Sequence, residues 1–220
     1  MLAIMRFRSR LFAFIAIFCV AGTAGPAAFA VEDGGERGSD AGSLKGKFLV
    51  ANPSLLDPRF AHAVILMVKH DATGAFGLVI NRPVGIAEVT PDEPGRKDGG
   101  DAAPADRAPM RFPAFLGGPV EPNKAFVVHS PEYKAEGTVS VTARVAVTAN
   151  VQILKDIADG KGPKRTLYIV GYSGWSAGQL EDEMRRNSWF EAPVDDKLVF
   201  DGDDTDAVWE QAMEMRLRGI

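Results

Sequence analysis

Glycine and polar residues that could form a phosphate site cluster in the stretch GYSGWSAGQLEDEM, residues 171–184. An apolar run precedes the glycines and a charged helical pattern follows them, which is the order found in phosphate-binding loops. A Walker-type loop also needs a lysine and then Ser or Thr at the helix start, whereas Gln179 follows Gly178 here. The glycine spacing differs from the dinucleotide fingerprint G-x-G-x-x-G as well. The sequence therefore lacks both phosphate motifs.

A structural role explains the same stretch. If Ser176 is the N-cap of a helix, Gln179 falls at position N3 and completes a capping box. Trp175 and Leu180 then form a hydrophobic staple, and such a cap stabilises a helix by about 1 kcal/mol. Because backbone amides at a helix start can also bind an anion, the alternative of an anion-binding loop stays open.

Nucleophile and metal sites lack the spacing that their chemistry needs. Ser173 lies in G-Y-S-G-W and not in the G-x-S-x-G elbow that exposes the serine of a hydrolase. The three histidines, His62, His70 and His129, are not spaced as a metal-binding pair on a helix face. We therefore expect no metal and no organic cofactor, leave catalytic residues unassigned, and favour a protein without enzymatic activity.

Two further loops carry residues suited to binding. Asn81, Arg82 and Pro83 follow an apolar run, and an arginine before proline is held extended, so its guanidinium can project into a groove. The alternative is a strand end with a solvated arginine. Gly117 and Gly118 allow a close backbone approach, either to a neighbouring strand or to a ligand.

Hydrophobic periodicity predicts the elements that position these loops. Residues 63–81 form a β-hairpin around the turn DATG, and three helices are expected at 150–160, after the glycine loop, and near 204–217. Further strands are predicted at 47–51, 125–130, 138–149, 166–172 and 197–201. This mixture predicts a single α+β domain with a mixed, largely antiparallel sheet and about three helices.

Composition supports a globular domain and argues against one class of partner. The chain has 220 residues, of which 46% are hydrophobic and 25% charged. Beyond residue 30 there are 22 basic and 29 acidic residues, a net charge of −7. Because non-specific nucleic-acid binding depends on neutralising phosphates, we expect no direct binding of nucleic acid.

The N-terminal segment, residues 1–30, predicts a secretory signal peptide. MRFRSR is basic, residues 11–21 are apolar, and Ala28-Phe29-Ala30 forms an A-x-A cleavage site. We expect a periplasmic or secreted protein after cleavage near Ala30. The alternative is a membrane anchor at residues 11–30, which would be the one membrane contact. Since Cys19 is the single cysteine, cleavage would leave no disulfide.

Two stretches are predicted to lie outside regular structure. Residues 31–45 are glycine-rich and charged, which predicts a flexible leader before a domain spanning 46–220. Residues 90–109 contain four prolines and three glycines without a large apolar residue, and predict a mobile acidic loop within that domain.

Several motifs resemble the AlgH/YqgE family of uncharacterised bacterial proteins. They are GKFLVANPSLLDPRFAHAVILMVKH, GAFGLVINRPV, FLGGPVEPNKAFVVHS, YIVGYSGWSAGQLEDEMRRNSWF and VWEQAM, which together cover residues 46 to about 216. The resemblance implies an α+β fold with no established reaction and no known metal or organic cofactor. Its recurrent motifs map to residues that we predict to form one groove: Asn81, Arg82, Pro83, Gly117, Gly118, Gly171, Gly174, Trp175, Gln179 and Glu183.

The resemblance also implies a regulatory role, since control of alginate production and of transcription has been proposed for some relatives. The predicted export signal argues against a direct role in cytosolic transcription. We therefore expect a non-enzymatic binding or regulatory protein that acts on a protein partner. The alternative is a sensor or enzyme that binds a small anionic ligand between Arg82 and the helix start at Gly171–Gln179.

Overall fold

The computed structural model describes residues 42–89, 110–202 and 204–218. The predicted signal peptide, most of the predicted leader and the predicted loop at 90–109 lie outside these residues. None of the helices in the described part of the chain combines the length and apolarity that crossing a membrane requires.

The described residues contain ten strands and four helices. The strands are β1 (Lys47–Ala51), β2 (Val64–Asp71), β3 (Gly74–Val79), β4 (Pro83–Val89), β5 (Met110–Leu116), β6 (Val120–His129), β7 (Thr138–Ser140), β8 (Ala146–Thr148), β9 (Thr166–Ser176) and β10 (Trp189–Pro193). The helices are α1 (Gln152–Ala158), α2 (Gln179–Arg185), α3 (Asp196–Asp201) and α4 (Thr205–Arg218).

The strands form one curled sheet in the order β10-β1-β2-β3-β9-β6-β8-β7. The β4–β5 hairpin joins this sheet where β5 runs parallel to β9. Every other pairing between described strands is antiparallel. The predicted single α+β domain with a mixed, largely antiparallel sheet is therefore confirmed, with four helices among the described residues where about three were expected.

The predicted hairpin at 63–81 is present as β2 and β3, which pair from Ile65↔Val79 to Asp71↔Gly74. The Asp71 side chain accepts a hydrogen bond of 2.8 Å from the backbone N–H of Thr73, a local interaction that favours a turn. The register of this hairpin sets β3 beside β9, the strand that enters the candidate site.

Strand β9 connects the two halves of the sheet. Its first half pairs with β5 and β6, and its second half pairs with β3. Between the halves, Gly171 has a φ of 70°, and a Cβ there would lie 2.6 Å from the carbonyl oxygen of Gly118. A Cβ on Gly118, whose φ is 149°, would lie 2.3 Å from the backbone of Tyr172. These glycines therefore allow two chain segments to touch.

Alternating side chains on β1 bury both faces of the sheet. Phe48 and Val50 face the central core, into which Leu198 of α3 and Ala212 of α4 also pack. Leu49 points to the opposite face, in a second apolar cluster that is completed by residues of α2 and of the chain after β1. Burial of both faces fixes the register of β1, because a slip by one residue would exchange the two sets.

Two local predictions were wrong. Residues 197–201 were predicted to be a strand but lie in α3, because the Asp195 side chain caps this helix by accepting from the backbone N–H of Lys197. The last strand of the described chain is β10, which pairs with β1 and was not predicted. Ser176 was predicted to be an N-cap, but it ends β9, and Gly178 at a φ of 75° is the N-cap of α2.

Candidate functional site

A surface cleft of about 380 Å³ lies where the β1–β2 connector, residues 52–63, meets the end of β9, α2 and the start of β10. Five of its lining residues are apolar, and two are carboxylates, Asp57 and Glu183, the second of which belongs to the motif at 171–184. The lining consists of Leu55, Asp57, Arg59, Phe60, Pro119, Ser173, Gly174, Trp175, Gln179, Glu183, Ser188 and Trp189. We call it the indole–carboxylate cleft.

Glu183 is the central acceptor of the cleft. Its Oε2 accepts hydrogen bonds from the indole Nε1 of Trp175 at 2.9 Å and of Trp189 at 2.8 Å. Its Oε1 accepts a third bond from Nε2 of Gln179 at 3.0 Å. The two indoles are buried and pack nearly perpendicular, at 84°. Since a buried indole N–H needs an acceptor, Glu183 joins α2 to β9 and β10.

The charge of Glu183 is not neutralised by another side chain within the described residues, because its three partners there are neutral donors. The cation of the cleft, Arg59, is bound to Asp57 by bonds of 3.0 Å from Nε and 2.7 Å from Nη2. Hydrogen bonds from Arg59 hold the pKa of Asp57 below its usual value, although partial burial opposes them. The half-buried Glu183 therefore leaves the cleft with a net negative charge.

Ser173 lines the cleft without a base beside it. Its side chain is almost fully buried, and its Oγ donates to the carbonyl oxygen of Gly117 at 3.1 Å. The histidines bond elsewhere: His62 to Asp206, His70 to Glu181 and His129 to Thr148. Within the residues that the structure describes, no group of three His, Cys, Asp or Glu side chains is placed to hold a metal ion.

Asn81 lies outside the cleft lining and is buried. Its Oδ1 accepts from the backbone N–H of Val64 at 2.9 Å. Its Nδ2 donates to the carbonyl oxygens of His62 at 2.8 Å and Thr205 at 2.9 Å. One side chain thereby ties together β2, the end of the β1–β2 connector and the start of α4.

Arg82 also lies outside the lining, and its hydrogen bonds hold the β1–β2 connector in place. Its guanidinium donates to the carbonyl oxygens of Arg59 and, at 3.0 Å, of Ala61. Burial lowers the pKa of Arg82, and the nearby charge of Asp57 acts in the opposite direction. Pro83 is exposed at the start of β4. We call Asn81 and Arg82 together the connector anchor, because their polar atoms bind the protein's own backbone.

The structure brings together part of the predicted groove. Gly174, Trp175, Gln179 and Glu183 line the indole–carboxylate cleft. The predicted glycines at 117, 118 and 171 do not line the cleft but lie where the chain after β5 closely approaches the backbone of β9. The residues at 81–83 do not line the cleft either. Binding of a ligand by these residues stays a prediction.

The lining residues that come from the connector and from β10 were not predicted from the sequence. Asp57, Arg59 and Phe60 come from the connector, and Trp189 comes from the unpredicted strand β10. The spacing Trp175–Glu183–Trp189 carried a signal, since two tryptophans flank one carboxylate and each indole needs an acceptor.

The start of α2 is built differently from the predicted capping box. The Ser176 hydroxyl does not cap, but Oε1 of Gln179 accepts from the Ser176 backbone N–H at 3.1 Å, which is half of the reciprocal box. The first turn of this seven-residue helix carries Glu181 and Asp182. These carboxylates oppose binding of an anion at the helix start.

Comparison with known proteins identifies the family. The model of the family described as DUF179, AlgH-like, matches residues 48–217. The chain belongs to the AlgH-like family. A UPF0301 protein of Sphingopyxis alaskensis is 43% identical over 158 residues, covering 71% of this chain and 80% of the relative. A UPF0301 protein of Ruegeria pomeroyi is 42% identical over 173 residues, covering 78% and 91%.

Solved structures agree with this AlgH-like assignment. The solution structure of the AlgH protein from Pseudomonas aeruginosa matches with a TM-score of 0.63 and 34% identity, over 83% of this chain and 93% of that one. A protein of Corynebacterium diphtheriae shares the fold, with a TM-score of 0.56 and 19% identity over 81% of this chain and 88% of that one. The resemblance inferred from the motifs is therefore confirmed.

Proposed function

We propose that this AlgH-like protein is a non-enzymatic binding protein that docks and regulates a protein partner in the indole–carboxylate cleft, and that it does so outside the cytoplasm after export. The chemistry of the cleft supports binding. Ser173 has a backbone acceptor in place of a base, and Glu183 holds two indoles and an amide. Export rests on the basic and apolar pattern of residues 1–30.

The connector carries the observation that favours a macromolecular partner. Leu56 is 95% exposed, and its neighbours Leu55 and Asp57 both line the cleft. Phe60, on the same connector, packs edge-on against Trp189 at 5.5 Å between ring centroids. An exposed leucine between two lining residues offers a protein segment an apolar contact next to an aromatic cleft.

The geometry supports the alternative, an anion sensor or enzyme, less well. Its proposed cation, Arg82, is engaged with connector carbonyls and does not line the cleft. The other half of that site, the start of α2, carries two carboxylates in its first turn. An anion in the cleft would also meet Glu183.

Capture experiments with substituted chains test this proposal. The immobilised full chain is exposed to periplasmic and cytosolic extracts of the cells that produce it, and bound proteins are identified by mass spectrometry. We expect a partner in the periplasmic extract that is retained by wild type and lost by Leu56→Ser. Val151→Ser is the matched control, because Val151 is 60% exposed at the start of α1 and does not line the cleft.

The same experiment can contradict each part of the proposal. Equal retention of every protein by wild type and Leu56→Ser would overturn docking at the cleft. A partner found solely in the cytosolic extract would overturn export. Thermal unfolding of both variants provides the stability check, and we expect shifts within the range of exposed substitutions, about 0.5 kcal/mol or less.

A further inference from the structure

We infer that the cleft recognises a basic side chain, the arginine or lysine of a docked protein segment, and that Glu183 is its counter-ion. This inference rests on the proposed function and adds the chemistry of recognition to it. Glu183 is a carboxylate in the lining of the cleft, and its hydrogen-bond partners are neutral.

The hydrogen bonds of Glu183 orient its carboxylate without neutralising it. Two indole N–H groups converge on Oε2, and one amide N–H reaches Oε1. A carboxylate offers about four acceptor positions, so three donors leave one for a ligand. A ligand N–H with a positive charge forms the stronger, charge-assisted bond at such a position.

Aromatic rings surround this acceptor. Trp175 and Trp189 pack at 84°, and Phe60 meets Trp189 at 78°. Together with Leu55 and Pro119, these rings give the lining an apolar surface beside the carboxylate, and the aliphatic stem of a basic side chain can pack on such a surface. Both parts of an arginine or lysine side chain, the stem and the charged end, thus have a complementary surface.

The charges in the lining select for a cation. Asp57 and Arg59 form a closed ion pair, so Arg59 is engaged and does not supply the missing positive charge. The lining then contains two carboxylates and one guanidinium, and a cationic ligand restores neutrality. Leu56, which is exposed and lies in the chain between the lining residues Leu55 and Asp57, favours a cation carried by a protein segment over a small soluble amine.

Indole N–H resonances provide a direct readout. The chain has three tryptophans, and the indoles of Trp175 and Trp189 donate to Glu183. The indole of Trp209 donates to the carbonyl oxygen of Ala51 at 2.9 Å, so it serves as an internal reference. The ¹⁵N-labelled full chain is titrated with the peptide Ac-Gly-Ser-Arg-Ser-Gly-NH₂, with the same peptide containing citrulline, and with ethylguanidinium alone.

The arginine peptide is expected to shift the Trp175 and Trp189 resonances and to leave Trp209 in place. Replacing arginine by the neutral, nearly isosteric citrulline is expected to weaken binding about tenfold or more, because a charge-assisted bond is lost. Glu183→Gln removes the same charge and is expected to give the same loss. Glu210→Gln, an exposed site on α4, is the control and retains binding.

Four outcomes would overturn the inference. Equal affinity for the arginine and citrulline peptides, or full affinity in Glu183→Gln, would show that charge is not recognised. Equal affinity for ethylguanidinium and the arginine peptide would assign the site to a small cation. Absence of shifts at Trp175 and Trp189 with every probe would remove the site. The proposed function fails separately, when capture of a partner survives Leu56→Ser.

Discussion

The connector anchor and the indole–carboxylate cleft are both built from polar side chains in sequence motifs, yet they use those side chains differently. The polar atoms of Asn81 and Arg82 bond to backbone groups of their own chain. Within the part of the chain that the structure describes, Glu183 bonds to three neutral donors and lines a surface cleft. The hydrogen-bond partners of these side chains therefore distinguish a structural support from a candidate site better than residue type does.

The largest effect on stability is expected from substitution of Asn81, the buried residue of the connector anchor. Asn81→Ala leaves the N–H of Val64 and the carbonyls of His62 and Thr205 without their partner. We expect the free energy of unfolding to fall by about 3 kcal/mol, measured by urea denaturation. Asn123→Ala, at an exposed asparagine of β6, is expected to change it by about 0.5 kcal/mol or less. If Asn81→Ala lowered the free energy of unfolding by as little as Asn123→Ala, a supporting role for Asn81 would be contradicted.

A smaller loss of stability is expected from substitution of Arg82, the second residue of the connector anchor. Arg82→Ala removes the donors that hold the connector carbonyls, and we expect a loss of about 1–2 kcal/mol. Hydrogen exchange should also become faster at connector residues 55–61, because the wall of the cleft loses its support. Arg111→Ala is the control, since Arg111 forms an exposed ion pair with Glu88 that contributes about 0–1 kcal/mol. Unchanged hydrogen exchange at these connector residues in Arg82→Ala would show that Arg82 does not stabilise the connector.

The smallest effect is expected from the ion pair in the cleft wall. Because Arg59 lowers the pKa of Asp57, the pair stabilises the fold above the ordinary carboxyl value of 3.8 and loses this contribution as pH falls through the lower folded value. Arg59 is 64% exposed at the side chain, so solvent screening limits the contribution to about 0.5 kcal/mol. Unfolding free energies of wild type and Asp57→Asn should differ at neutral pH and converge in acid. A difference that does not change with pH would contradict the pairing.

Hydrophobic periodicity predicted the strands that are long and apolar, and missed those whose pattern is interrupted. β2, β3 and the apolar part of β9 follow from continuous apolar runs. β4 begins at a proline and contains Gly85, and β10 has five residues, so neither carries a clear period. The KLVFD segment has the composition of a strand, but its helix is fixed by the Asp195 cap, a local interaction that outweighs propensity.

The candidate site was predicted on one wall only, for a physical reason. Trp175, Gln179 and Glu183 lie within nine residues, so a strand followed by a helix brings them close together. Trp189 joins them because β10 pairs with β1, and Arg59 and Phe60 join because the connector folds back over α2 and β9. Those approaches depend on long-range pairing, which single-sequence periodicity does not encode. The polar character of Asn81 and Arg82 was recognised, but their backbone partners become visible only in the fold.

Site-specific photo-crosslinking in living cells tests the central claim most directly, because it asks whether the rim of the cleft touches a protein. A benzoylphenylalanine is placed at Leu56, which is 95% exposed, or at Val151, which is 60% exposed and outside the lining. The account predicts a discrete protein adduct at position 56 that is absent at position 151. No adduct at position 56, or the same adducts at both positions, would contradict it.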